Sequence, residues 1–87
     1  MKKIIAFLKP FEINQEISIF ENGVKLFTDF ANVDEVKEKI LDYSIKEDID
    51  LIQLAGPTQY SEGIKRQIET INTTKYDNKA NINIELI

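Results

Sequence analysis

The stretch from Asp50 to Glu69, DLIQLAGPTQYSEGIKRQIE, decides the fold of this chain. It begins with an apolar run around a single glutamine, Leu51 to Ala55, which is typical of a parallel strand buried on both faces. Gly56-Pro57 ends this run, because glycine adopts unusual backbone angles and proline fits the first turn of a helix. Apolar residues then recur on one helical face: Tyr60, Ile64, Ile68 and Ile71. The stretch therefore predicts a strand, a tight loop and a helix, and this unit needs neighbouring strands to bury it.

The composition of the chain excludes many functions. With 87 residues there is room for a single domain, residues 1–87, and one modest core. The chain contains no cysteine and no histidine, which excludes disulfides, thiolate metal sites, thiol nucleophiles and the most common general base. Its formal charge of −4 disfavours nucleic acid or an anionic membrane as the main partner.

No targeting or membrane segment is predicted. The apolar run from Ile4 to Leu8 is shorter than the core of a signal peptide, and no run approaches the length of a membrane span. We therefore expect a cytoplasmic protein that needs no cofactor.

Three strands are predicted before the first helix. Ile4 to Leu8 is a continuous apolar run, typical of a central strand covered on both faces, and Pro10 ends it because proline donates no ladder hydrogen bond. Asn22-Gly23 separates the next two strands, Glu16–Phe20 and Val24–Phe30, and it favours a type I′ hairpin turn. A two-residue loop predicts two cross-strand pairs: Glu21 with Val24, and Ile19 with Leu26.

Two helices and two strands complete the predicted order. Asn32 is a candidate cap for a first helix that runs to about Lys46, with acidic residues in its first turn. The strand and helix of the opening stretch follow. The polar segment Asn72–Lys79 is predicted to be a loop, and the alternating segment Asn81–Leu86 is predicted to be a last strand at a sheet edge.

The predicted element order, βββαβαβ, indicates an α/β fold. Short connections make the first three strands antiparallel, and right-handed crossovers make the later strands parallel to a central one. The prediction is a single mixed five-stranded sheet of order 3-2-1-4-5 with two helices. This order resembles the ribonuclease H-like fold of RNase H, Holliday-junction resolvases, transposase cores and the halves of actin-like ATPases.

The resemblance implies metal-binding acids, and the chain departs from that pattern. Nucleases of this fold place acids on the first strand, on the first helix and near the end of the fourth strand, where they hold two metal ions. Lys2 to Leu8 contains no acid, and Ala55 to Thr58 supplies none. Actin-like ATPases carry an aspartate and glycines where this chain has Leu8 to Phe11. The departures indicate a degenerate, non-enzymatic member without a metal site.

A loop crevice is the first candidate binding site. The first and fourth strands are expected to end at the same sheet edge, where ligands tend to bind, beside a helix N-terminus that attracts anions. The residues predicted to line it are Lys9, Phe11, Glu12, Thr58, Gln59 and Tyr60. An enzyme built from Lys9, Glu12 and Tyr60 is the least favoured use of this crevice. The alternative interpretation is that Thr58 only begins a helix, Tyr60 packs on the core and Lys9 is solvated.

An acidic face on the first helix is the second candidate. Glu35, Glu38 and Asp42 are predicted to lie on its outer side, where a run of acids imitates a phosphate backbone. The alternative interpretation is a solvated face interleaved with lysines: Lys37, Lys39 and Lys46. Lys65 and Arg66 each have a glutamate one turn away, which predicts surface ion pairs rather than a nucleic-acid stripe.

Two functional hypotheses follow. The first is a non-catalytic binding or accessory protein that acts through contacts with a protein partner, and self-association through a sheet edge is a further expectation. The second is a small acidic inhibitor, of the kind carried by a phage or mobile element, that mimics nucleic acid for a nucleic-acid-binding protein. Neither hypothesis involves a metal, a membrane or direct contact with nucleic acid.

Overall fold

A computed structural model describes residues 2–10, 15–29 and 33–87. Its elements are, in chain order, β1 (Lys3–Pro10), β2 (Gln15–Glu21), β3 (Val24–Asp29), α1 (Val33–Lys46), β4 (Leu51–Ala55), α2 (Thr58–Tyr76) and β5 (Asn83–Leu86). The strands form a five-stranded sheet in the order β3-β2-β1-β4-β5. The predicted α/β class, strand order and pair of helices are confirmed. The predicted cap, Asn32, lies outside the described residues.

Strand direction follows from the connections. β1 pairs with β2, and β2 with β3, in antiparallel ladders, whereas β4 runs parallel to both β1 and β5. Both helical crossovers move the chain in the same direction across the sheet. Because such crossovers are right-handed, both helices cover the same face.

The hydrophobic core lies between that face of the sheet and the two helices. Alternate residues of each strand point inward, so β1 and β4 contribute every second side chain. The buried core consists of Ile4, Ala6, Leu8, Ile17, Ile19, Val36, Ile40, Leu41, Ile49, Ile52, Leu54, Ile64, Ile68 and Ala80.

The prediction that β1 is covered on both faces is wrong for the described part of the chain. Ile4 and Ala6 have no exposed surface, but Ile5 is only half-buried and Phe7 is 42% exposed. The odd-numbered side chains point away from both helices. A continuous apolar run therefore does not show that two layers cover a strand. β4 alternates in the same way between buried and half-buried residues.

The β2–β3 hairpin forms as predicted at its turn and shifts further along. Asn22 and Gly23 both have positive φ, 52° and 78°, as a type I′ turn requires. Glu21 pairs with Val24, which confirms one predicted pair, but Ile19 pairs with Phe27 rather than Leu26. A β-bulge between Ile19 and Phe20 causes the shift, since a bulge sets two residues of one strand against one of the other.

Helix α2 is longer than the sequence pattern predicts, and the predicted loop at Asn72–Lys79 is helical as far as Tyr76. The hydroxyls of Thr73 and Thr74 donate to the carbonyls of Glu69 and Thr70, at 3.1 and 2.8 Å. The helix ends where Asp77 and Asn78 adopt left-handed backbone conformations. The predicted end of the helix before Asn72 is wrong because polar residues on the solvent side of a helix resemble a loop in composition.

The side chain of Asn72 joins the end of α2 to the segment that leads into β5. Its Nδ2 donates to the carbonyl of Ala80 at 2.9 Å, and its Oδ1 accepts from the amide of Ala80 at 3.2 Å. Ala80 is buried in the core. One amide side chain therefore satisfies both backbone groups of a buried residue.

We expect Asn72→Asp to destabilise the fold by about 1–2 kcal/mol, because a carboxylate accepts from the Ala80 amide but cannot donate to its carbonyl. Chemical denaturation measures the free energy of unfolding. Gln67→Glu is the matched control, since it makes the same change from amide to carboxylate at an exposed position of α2. Equal stability of the two variants would contradict the proposed role of Asn72.

Candidate functional site

The sheet has one face turned away from both helices, which we call the open face. β1 places Lys3, Ile5, Phe7 and Lys9 on it, because alternate side chains of a strand share a face. Neighbouring residues of β2, β3 and the hairpin turn complete a groove of about 700 Å³. The groove is lined by Lys3, Ile5, Phe7, Lys9, Ser18, Phe20, Asn22, Gly23 and Lys25.

Two phenylalanines form the apolar centre of the groove. The rings of Phe7 and Phe20 pack edge to face, with centroids 5.4 Å apart and an interplanar angle of 90°. They are diagonal neighbours, since the register pairs Phe20 with Ile5 and Phe7 with Ser18. Ile5, Phe7 and Phe20 therefore form one apolar patch on the surface.

Lysines surround this patch. Lys3 and Lys9 lie six residues apart on β1, so their Cα atoms are roughly 20 Å apart at about 3.3 Å per residue. Lys25 lies on β3 opposite Phe20. None of the described residues that line the groove is acidic.

The three lysines differ in their backbone neighbours. The register pairs Lys9 with Glu16 of β2, whereas Lys3 pairs with Leu51 and Lys25 with Phe20. Lys3 and Lys25 therefore supply positive charge next to apolar cross-strand partners.

The loop crevice predicted from the sequence is closely packed beneath the loop. β1 and β4 do end together, since Phe7 pairs with Ala55. A Cβ atom added to Gly56 would lie 2.9 Å from both the Cβ and the carbonyl oxygen of Leu8, and 3.4 Å from Oγ of Ser61. Leu8 and Ser61 thus fill the space below the loop, and this close approach requires glycine.

The predicted crevice residues separate into three groups. Lys9 lines the groove of the open face. Thr58 and Gln59 are exposed in the first turn of α2, while Tyr60 packs against the core and burial raises its pKa. This placement of Tyr60 agrees with the alternative interpretation. Phe11 and Glu12 lie outside the described residues, and a binding role for the set stays a prediction.

Two of the three acids predicted on the outer side of α1 face α2. Glu38 forms an ion pair with Lys75. Burial, together with a hydrogen bond that Tyr76 donates to Asp42, raises the pKa of Tyr76 to about 12. These acids therefore stabilise the contact between the helices.

The remaining charges of α1 follow the predicted pattern except at Lys37, since Lys39 and Lys46 are exposed. Glu35 is exposed and takes part in an interaction with the rest of the chain. Lys37, predicted to be solvated, is buried at 4% exposure. The acidic face is thus less extensive than the sequence pattern indicates, and its binding role stays a prediction.

Within residues 2–10, 15–29 and 33–87, no group of three or more aspartates or glutamates is arranged to hold a metal ion. Neither α1 nor α2 has an apolar stretch that is long enough to cross a bilayer.

Comparisons with protein-family models, with curated proteins and with solved structures found no match to this chain. The candidate site therefore rests on the geometry of the open face. The sequence interpretation missed Ile5, Phe7 and Phe20 as surface residues. The signal was present in the predicted element order, because two right-handed crossovers in the same direction leave one face of the sheet without a helix.

We expect Gly56→Ala to destabilise the protein by about 1–3 kcal/mol, since the added methyl group would overlap a side-chain and a backbone atom of Leu8. Gly63→Ala is the internal control. A Cβ atom there meets no atom within 4 Å, and alanine favours a helix over glycine by about 0.5–1 kcal/mol. The two substitutions should change the free energy of unfolding in opposite directions. A neutral Gly56→Ala would show that the strand ends are not closely packed.

We expect Glu21→Gln to lower the pKa of Tyr43. The Tyr43 hydroxyl donates to Oε1 of Glu21 at 2.6 Å, and this hydrogen bond, followed by burial, raises its pKa to about 12. NMR titration of the Tyr43 ring measures the change. Glu47→Gln should have a smaller effect, because Glu47 acts on Tyr43 only through its charge.

The raised pKa of Tyr43 also predicts how the free energy of unfolding depends on pH. The folded pKa of Tyr43 lies above its ordinary value of 10.0, so its contribution to stability is complete below pH 10 and is lost as the pH rises toward 12. Tyr43→Phe should reduce the alkaline fall in the free energy of unfolding over that interval. An unchanged alkaline profile would contradict this assignment.

Proposed function

We propose that this chain is a non-catalytic binding module that docks a protein partner on its open face. The observation that carries the proposal is the apolar patch of Ile5, Phe7 and Phe20 in a groove of about 700 Å³. All-parallel sheets are usually covered on both faces, and two of the four ladders between the described strands are parallel. A contiguous apolar patch with a polar rim is typical of a protein interaction site.

Several features favour binding over catalysis. The full chain has no histidine and no cysteine, and the described lining of the groove offers lysines, Ser18 and Asn22 but no acid to pair with them as an acid–base couple. The strand order resembles the ribonuclease H-like fold, whose nucleases use acids on the first strand and at the end of the fourth. This chain has apolar residues and lysines in β1, and Ala55-Gly56-Pro57 where β4 ends. We therefore propose a degenerate member of that fold without enzymatic activity.

The acidic nucleic-acid mimic is the weaker alternative. It needs free carboxylates on the outer side of α1, whereas Glu38 and Asp42 contact Lys75 and Tyr76 of α2. Self-association is a further alternative, and its route would be an edge strand, β3 or β5.

A photo-crosslinking residue in place of Phe7 tests the proposal in the source cells. We expect it to form an adduct with one discrete protein, because Phe7 lies in the groove and is exposed. The same residue in place of Thr70, on the exposed side of α2, is the control and should not form that adduct. Identical adducts at both positions, or none at Phe7, would contradict docking on the open face.

The crosslinked protein, once purified, allows a matched comparison of two exposed apolar residues. Phe7→Asp should weaken its affinity by roughly tenfold or more, as expected for an apolar anchor at the centre of an interface. Val24→Asp should leave the affinity unchanged, since Val24 is 64% exposed and does not line the groove. Thermal unfolding of both variants checks that they remain folded.

A further inference from the structure

The groove, rather than the open face as a whole, differs in charge from the rest of the protein: elsewhere on that face Glu85 accepts a hydrogen bond from Gln53, the cross-strand partner of Ile5. Three of the 11 basic residues line the groove, and no described acidic residue does, although the whole chain carries 15 acids and a net charge of −4. A positively charged groove on a negatively charged protein selects for a negatively charged ligand and steers its approach.

The length of the groove matches that of a short α-helix. The charged ends of β1 are roughly 20 Å apart at about 3.3 Å per residue, with Ile5 and Phe7 between them. A helix of about 14 residues has the same length, since it rises about 1.5 Å per residue. The molecule is 20 Å across its shortest dimension, as expected for one sheet and one layer of helices. A helix on the open face would supply a third layer, as in folds whose sheet has helices on both faces.

A second copy of the chain fits this face poorly. A two-fold pairing of open faces centred on β1 would set Lys3 of one copy against Lys3 or Lys9 of the other. Such like-charge pairs oppose association.

Single-stranded nucleic acid also fits poorly. Base stacking needs exposed ring faces. The 90° packing of Phe7 and Phe20 turns the edge of one ring onto the face of the other, so the pair does not form a flat stacking platform. The net charge of −4 also repels a polyanion.

We propose that the open face binds an acidic amphipathic helix supplied by a partner protein. Its apolar side chains pack on Ile5, Phe7 and Phe20, and its carboxylates face Lys3 and Lys25. This inference rests on the proposed function and adds the chemical class of the partner segment to it.

Peptide selection tests this proposal without knowledge of the natural partner. Random peptides of about 16 residues are displayed on phage and selected on the wild-type chain. This length allows a helix that spans the groove, at a rise of about 1.5 Å per residue. Clones that also bind the Phe7→Asp variant are removed. We expect the remaining peptides to be acidic, with apolar residues at intervals of three and four, and to become helical on binding by circular dichroism.

Charge variants then test the role of the lysines. The double variant Lys3→Glu/Lys25→Glu should weaken the dissociation constant of the selected peptides by about tenfold or more, and added salt should weaken binding to the wild type. The control Lys65→Glu/Lys79→Glu makes the same change in net charge at residues that do not line the groove and should alter the affinity by less than about twofold, since salt screens charges that do not contact the ligand. Thermal unfolding confirms that both double variants are folded.

The possible failures separate this inference from the proposed function. The acidic helix would be overturned if the selected peptides were neutral or basic, or if they bound in an extended conformation. It would also be overturned if Lys3→Glu/Lys25→Glu left their affinity unchanged. Docking on the open face would remain in each of these cases. Failure to obtain any peptide sensitive to Phe7→Asp would overturn both. Tighter binding of a single-stranded thymidine oligonucleotide, or a dimer in sedimentation at low salt that Phe7→Asp dissociates, would replace the partner helix by nucleic acid or by a second copy.

Discussion

The handedness of two crossovers is the constraint on which the rest of this structure depends. The chain leaves β3 at one edge of the sheet, passes through α1 to β4 beyond the centre, and then passes through α2 to β5 at the other edge. Both crossovers move in the same direction, and a right-handed crossover in that direction always places its helix on the same face. One face of the sheet therefore receives both helices and the entire described core, and the other receives neither.

β1 shows how one strand serves both faces. Its even-numbered side chains, Ile4, Ala6 and Leu8, are buried beneath the helices. Its odd-numbered side chains follow a different pattern, with a lysine at each end and Ile5 and Phe7 between them. The consecutive residues Ile4 to Leu8 are all apolar. Alternate residues differ, because one side of the strand faces the core and the other has the composition of an interface. The stability of the fold and the chemistry of the groove are thus carried by interleaved residues.

Sequence reasoning recovers the features that depend on local chemistry. The Asn22-Gly23 turn and the strand–loop–helix unit around Gly56-Pro57 each follow from backbone preferences of one or two residues. The element order then determines the sheet order, because short connections and right-handed crossovers leave few arrangements.

The features that it misses depend on neighbours from elsewhere in the chain. Helical periodicity shows that Glu38 and Asp42 share a side of α1, but not that α2 brings Lys75 and Tyr76 to that side. Alternation does not reveal the bulge that moves Ile19 from Leu26 to Phe27. The open face is predictable from the sequence, because the crossover rule that orders the strands also places both helices on the same face.

The lysines of the groove have two effects that act together. An apolar patch exposed on a sheet face promotes association of like copies, and any pairing centred on β1 would bring Lys3 or Lys9 against a lysine of the other copy. The same lysines attract an acidic segment. They therefore disfavour pairing of two copies and favour binding of the partner. Both effects weaken as salt shortens the Debye length from about 10 Å at 0.1 M to about 3 Å at 1 M. High salt should therefore lower the affinity for an acidic helix and at the same time permit copies to associate through Ile5, Phe7 and Phe20, which makes ionic strength the variable that separates the two uses of this face.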